Sequence, residues 1–97
     1  MIVSFGDRAT EDLYHARPTS RARRFPNDIV NLALVKLDML ESAAAVLDLT
    51  SPPGNRLEPL RGDLRGFYSI RVNDQWRIVF RWENNSAHDV RLMDYHS

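Results

Sequence analysis

The chain has no cysteine in its 97 residues, which excludes a disulfide scaffold, a thiolate metal site and a cysteine nucleophile. No run of about 18 apolar residues occurs, so nothing reads as a membrane span. The N-terminus, Met1 to Asp7, lacks a basic region followed by an apolar stretch, so no signal peptide is expected and the expected compartment is the cytoplasm. Lysine is almost missing: Lys36 stands against twelve arginines. Net charge is missing too, with 13 basic and 13 acidic residues. A free nucleic-acid binder is usually basic overall, so the sum counts mildly against one. Repeats and low-complexity tracts are absent, and 97 residues make a single domain, 1–97, with one modest core.

What is present is an uneven distribution of charge, which matters more than its sum. Arg17, Arg21, Arg23 and Arg24 follow one another with no acid between them, and residues 56–82 hold six arginines against Glu58, Asp63 and Asp74. The acids gather instead at Asp7, Glu11, Asp12, Asp28, Asp38, Glu41 and Asp48. Arginine offers planar, bidentate contacts that suit phosphate. His15 and His88 show no ligand spacing, and no metal or cofactor is inferred.

Residues 2–5 are short and apolar and predict a strand ahead of Gly6-Asp7. Asp7 predicts an N-cap for a helix to about Ala16, broken by Pro18-Thr19-Ser20. Arg21 to Arg24 predict a helical turn. A second helix, capped by Asn27, is expected over residues 28–45, with Ile29, Leu32, Ala33, Leu37, Leu40, Ala44 and Leu47 on its core stripe. Residues 48–56 read as a loop and 57–60 as a short extended segment.

The C-terminal part alternates. Tyr68, Ile70 and Val72, then Trp76, Ile78, Phe80 and Trp82, then Val90 and Leu92 place apolar residues at even positions, as half-buried antiparallel strands do. Trp76 and Trp82 therefore read as core and not as nucleotide platforms. A three-residue loop, Asn73-Asp74-Gln75, pairs Val72 with Trp76, Ile70 with Ile78 and Tyr68 with Phe80, and keeps the apolar face continuous. A loop at Asn84-Asn85-Ser86 sets Phe80 opposite Val90 and Arg81 opposite Asp89. This register makes Arg71 and Arg77 direct cross-strand neighbours, an arrangement that costs a few tenths to about 1 kcal/mol unless an anion repays it. Tyr95 falls on the same face, diagonal to Arg77. Asp94 and His96 have the other parity and reach that face only if the strand end bends.

The run Pro52-Pro53-Gly54-Asn55-Arg56-Leu57-Glu58-Pro59-Leu60-Arg61-Gly62-Asp63, then Gly66-Phe67-Tyr68-Ser69-Ile70, then Asn73-Asp74-Gln75-Trp76-Arg77-Ile78-Val79-Phe80-Arg81-Trp82, ending in Asp94-Tyr95-His96, resembles the HigB toxins, the plasmid maintenance killer branch of the RelE/ParE superfamily. The start, Met1 to Phe5 and Asp7 to Glu11, is similar as well. The resemblance implies an α+β, RelE-like fold with two N-terminal helices packed on an antiparallel-dominated sheet. It also implies a ribosome-dependent, metal-independent endoribonuclease that cuts mRNA. The partners would be a HigA-type helix-turn-helix antitoxin, the ribosome and mRNA, with operator DNA reached only through the antitoxin complex and no membrane. Arg77, Asp94, Tyr95 and His96 match catalytic positions, with Arg61, Arg71 and Arg81 as substrate-binding candidates. Where the family carries His and Lys, this chain has Glu58 and Arg61; Arg61 keeps the charge but does not readily release a proton. The proton-transfer roles fall among Glu58, Asp94 and His96. Two other readings stay open: a ParE-like gyrase inhibitor without catalysis, which the Asp-Tyr-His end disfavours, and a weakly active toxin serving as antitoxin-binding corepressor.

Overall fold

A computed structural model describes residues 1–95. Helix α1 (Arg8–Tyr14) starts where Asp7 accepts the Thr10 amide at 2.8 Å, as the cap residue predicts. It ends two residues before the expected Ala16, which takes φ 57°. Helix α2 (Asn27–Ser42) begins after Pro26, so Asn27 lies inside the first turn instead of capping it. Its end also comes earlier than expected. The Asp48 carboxylate accepts the Ala44 and Ala45 amides at 2.9 and 3.0 Å, and this turns 46–50 into a 3₁₀ segment. As a result Leu47 is 70% exposed while Leu49 is buried. Leu32, also assigned to the core stripe, is exposed, and Lys36 is buried in its place.

Four strands follow: β1 (Glu58–Pro59), β2 (Phe67–Arg71), β3 (Trp76–Glu83) and β4 (Ser86–Asp94), antiparallel in the order β1-β2-β3-β4. The N-terminal segment lies parallel against β4 through bridges Ile2–Ala87 and Phe5–Val90. Gly6 is required there, because a Cβ would stand 2.5 Å from Arg91 Nε and 2.8 Å from the Asp89 carbonyl.

The first hairpin has the expected register: Tyr68 faces Phe80, Ile70 faces Ile78 and Arg71 faces Arg77. The Asn73 side chain accepts the Gln75 and Trp76 amides at 2.9 and 2.8 Å, which shapes the turn. The second hairpin differs from expectation. Its loop is Asn84-Asn85 alone, both at positive φ (53° and 60°), closed by the Glu83–Ser86 pair. That is the geometry two-residue hairpins favour, and asparagine tolerates it. The pairing then slips between Val79 and Arg81, with Asp89 bulged at φ 55°. Arg81 therefore faces His88, whereas beyond the bulge Val79 faces Arg91 and Ile78 faces Leu92.

The even face packs on the helices: Ile70, Ile78, Phe80, Val90, Ala33, Leu37 and Leu40 are fully buried. The basic stretch at 17–24 is held by an acid from α1. Asp12 accepts from Thr19 Oγ1 at 2.8 Å, from Arg21 Nε at 3.1 Å and from Arg17 Nη1 at 3.3 Å. The Thr19 hydroxyl first, then the two arginines, hold the Asp12 carboxyl below its usual value near 3.8. Because folding lowers this pKa, its contribution to stability is complete above the unfolded value and is lost as pH falls through the folded one. Asp12→Asn is accordingly expected to lower the melting temperature at neutral pH and to flatten the loss of stability below about pH 4. Thermal melts across that range, followed by circular dichroism, check it; an acid limb as steep as the wild type's contradicts it.

Candidate nucleic-acid interface

The odd face of the sheet, turned away from the helices, reads in rows set by the ladder. One row is Glu58, Ser69, Val79, Arg91. The next is Arg71, Arg77, Met93, and beyond it the Tyr95 amide donates to the Gln75 carbonyl at 2.6 Å. On the other side lie Phe67, Arg81 and His88. Val79 and Ser69 are nearly inaccessible although they lie on this face. Arg71, Arg77, Arg81 and Arg91 share this face with them.

The arginines are held differently. Arg77 donates from Nη1 to the Asn73 carbonyl and, at 3.3 Å, to its neighbour Trp76's carbonyl. Its guanidinium carbon stands 5.8 Å from the centre of the Tyr95 ring, within cation–π range. Arg71 donates to the Asp74 carboxylate, and its Nε is buried with no hydrogen-bond partner among the described residues. Arg81 is bound to Glu83 and, at 3.3 Å, to Asp89. Lys36, buried and donating to Asn55, has its pKa lowered by desolvation and then by repulsion from Arg71.

The structure thus brings Arg71, Arg77 and Tyr95 together, as the register predicts. Glu58 shares the face but sits on the edge strand, two strands and one row from Arg77, or roughly 12 Å between Cα atoms at ordinary strand spacings. Arg61 lies past the end of β1, where Leu60 donates to Phe67, at the opposite end of β2 from Arg71. Asp94 pairs with Trp76 on the helix side. It accepts from Gln75 Nε2 at 3.1 Å and lines a depression of about 250 Å³ with Asp7, Arg24 and Phe25. His96 lies outside the described residues. Sequence reading overlooked Arg91, whose odd parity after Val90 was available, and Asp74, whose role depends on where the turn points its carboxylate.

The family model described as RelE-like toxin of type II toxin-antitoxin system HigB matches residues 3–96. Toxin HigB-1 of Vibrio cholerae serotype O1 is 42% identical over 92 residues, covering 95% of each chain. Endoribonuclease HigB of Proteus vulgaris is 31% identical over 96 residues, covering 99% of this chain and 100% of that one. Among solved structures, a YafQ variant from E. coli superposes with TM-score 0.64 at 15% identity, covering 97% of this chain and 93% of that one. The YoeB–YefM complex from Staphylococcus aureus gives 0.62 at 18% identity, covering 100% and 99%. The fold is that of these toxins, and the match along nearly the whole length places the chain in the HigB-like family of RelE-like type II toxins.

Proposed function

We propose that this toxin is an endoribonuclease that cuts mRNA on the translating ribosome, with the Arg71–Arg77 face as its phosphate site. The observation that carries the reading is the pairing of two arginines directly across the first hairpin, with Tyr95 against the second of them. Opposed like charges are unfavourable in a sheet and become favourable once a phosphate lies between them. The relative named Endoribonuclease HigB supports the same chemistry. In the proposed reaction the ribose 2′-oxygen loses its proton and attacks the phosphorus. The bond to the 5′-oxygen breaks, and that oxygen takes up a proton. Arg77 and Arg71 stabilise the charge on the phosphoryl oxygens, and Tyr95 orders the nucleotide by stacking. His96, Asp94 and Glu58 are the proton-transfer candidates. Arg61, past the end of β1, would meet RNA away from the reacting phosphate, and Arg81 would contribute charge only after loosening from Asp89 and Glu83. The antitoxin proposed as partner is of the HigA helix-turn-helix type, and operator DNA is reached through it.

The test is to induce the chain and map mRNA 5′ ends. Cuts phased to codons and dependent on translation are expected. His96→Ala is expected to reduce them about 10²–10⁴-fold, the range of a lost general acid or base. Ends without codon phase would remove the ribosome dependence, and an absence of new ends, with growth inhibition and blocked gyrase supercoiling, would favour the non-catalytic reading instead.

A further inference from the structure

The turn between β2 and β3 holds both arginines of the site by different means. Its Asn73 carbonyl accepts from Arg77, and its Asp74 carboxylate accepts from Arg71. The two partners of the Arg71–Asp74 pair are unequally placed: the Arg71 side chain is 27% exposed, that of Asp74 98%. Arg71 is a half-buried cation directly opposite Arg77, with Lys36 close enough to feel its charge. Such a group needs an anion. Asp74 supplies one from a fully solvated position on a turn, and it can leave by rotating into water.

We propose that Asp74 is a displaceable stand-in for the RNA phosphate: it holds Arg71 oriented beside Arg77 in the free toxin and yields that place to the backbone phosphate when RNA binds. The inference rests on the reading of this face as the phosphate site. A carboxylate and a phosphodiester each carry one negative charge and accept from the same guanidinium edge. Exchange of one for the other leaves Arg71 paired throughout, so the like-charge contact with Arg77 is offset in both states. The Arg71 guanidinium, and after it the charges of Arg56 and Arg77, hold the Asp74 carboxyl below its usual range, in keeping with its contact to Arg71. An exposed ion pair is weak, which suits a contact that must be given up at every binding event. Asp74 is a positioning residue in this scheme, and it also sets RNA affinity by competing for Arg71.

The experiment measures binding of a short fluorescein-labelled 2′-O-methyl oligoribonucleotide, which cannot be cleaved, by fluorescence anisotropy over a salt series. Asp74→Asn is expected to tighten binding about two- to fivefold at low salt, the scale of an exposed ion pair. The slope of log K against log salt should differ from wild type by less than about 0.7, the step for one neutralised phosphate on a single strand, because Arg71 meets the same phosphate in both proteins. In an Arg71→Ala background the same substitution should change neither quantity. The proposal is overturned if Asp74→Asn binds no tighter than wild type, or if its gain persists in full without Arg71, since that would mean only a general loss of negative charge. If Arg71→Ala and Arg77→Ala themselves bind like wild type, the face is not the phosphate site and both readings fall. Weakened binding in the arginine variants with no effect of Asp74→Asn removes the stand-in alone.

Discussion

Arg77→Ala is expected to reduce mRNA cleavage about 10²–10³-fold, the loss typical of removing one preorganised donor to a developing oxyanion. The size follows from how the side chain is held. Nη1 is committed to two backbone carbonyls, those of Asn73 and Trp76. The Nε and Nη2 protons are thereby left on one edge, the geometry of a bidentate phosphate contact. The ring of Tyr95 limits movement of the guanidinium plane. The donor therefore needs little reorganisation when charge develops on the phosphate. Stability should respond in the opposite sense. Deleting one of two opposed arginines relieves repulsion worth a few tenths to about 1 kcal/mol, so the variant should unfold at the wild-type urea concentration or slightly above. Arg77→Lys should fall between, because an ammonium keeps the charge but loses the planar fork. Single-turnover cleavage on programmed ribosomes, paired with urea melts, checks both halves. Cleavage within threefold of wild type would remove Arg77 from the reaction, and an equal loss of stability would make its role structural.

The strands were the most legible part of the sequence, for a physical reason. A side-chain period of two allows few registers, and only a three-residue turn kept Tyr68, Ile70 and Val72 facing apolar partners; the Arg71–Arg77 pair follows from that choice. The second hairpin shows where the argument stops. A two-residue Asn84-Asn85 turn and a bulge at Asp89 together give the same pairing below the bulge as a three-residue loop would. Alternation alone cannot distinguish the two, and the difference decides whether Arg81 faces Asp89 or His88. The helix was read less well where single contacts at long or local range outweigh periodicity. Lys36 is buried because Asn55 receives it, and α2 stops early because Asp48 takes the following amides. Of the candidate site, the grouping of Arg71, Arg77 and Tyr95 is legible from parity, while the contact of Asp74 with Arg71 depends on where a turn points one carboxylate.

The absence of net charge is explained by the same contacts. Asp12 offsets Arg17 and Arg21, and Glu83 with Asp89 offsets Arg81. Asp7, Asp12, Asp48, Asp74, Glu83 and Asp89, six of the 13 acids, serve local ion pairs or caps, so the total number of acids says little about the potential at the sheet tip. There Arg71 and Arg77 share the turn with Asp74, the most exposed carboxylate of these pairs. A neutral chain can in this way present a cationic face where the proposed phosphate site lies, because distribution of charge decides the local potential.

Phe80→Ala is expected to destabilise the fold by about 3–5 kcal/mol, the range for truncating a fully buried phenylalanine. Phe80 lies in the central pair of strands with no exposed surface. Its ring stacks on Tyr68 at 6.0 Å and meets Trp82 edge-on at 6.3 Å, so the substitution removes aromatic contacts from two strands as well as apolar area. The surrounding groups cannot close the gap readily: Ile70, Ile78 and Val90 are fixed by the ladder, and Leu37 and Leu40 by α2. A domain of this size has only about 5–15 kcal/mol in total, so a large fraction of its molecules' margin is lost. At about 4–8 °C per kcal/mol the melting temperature falls by tens of degrees. Phe80→Leu, which keeps most of the volume, should cost under about 1.5 kcal/mol. Urea denaturation of both variants measures this: a lower midpoint with an unchanged slope is the expected result, and a loss below about 1.5 kcal/mol for the alanine variant would mean that the sheet–helix core can collapse around the missing ring.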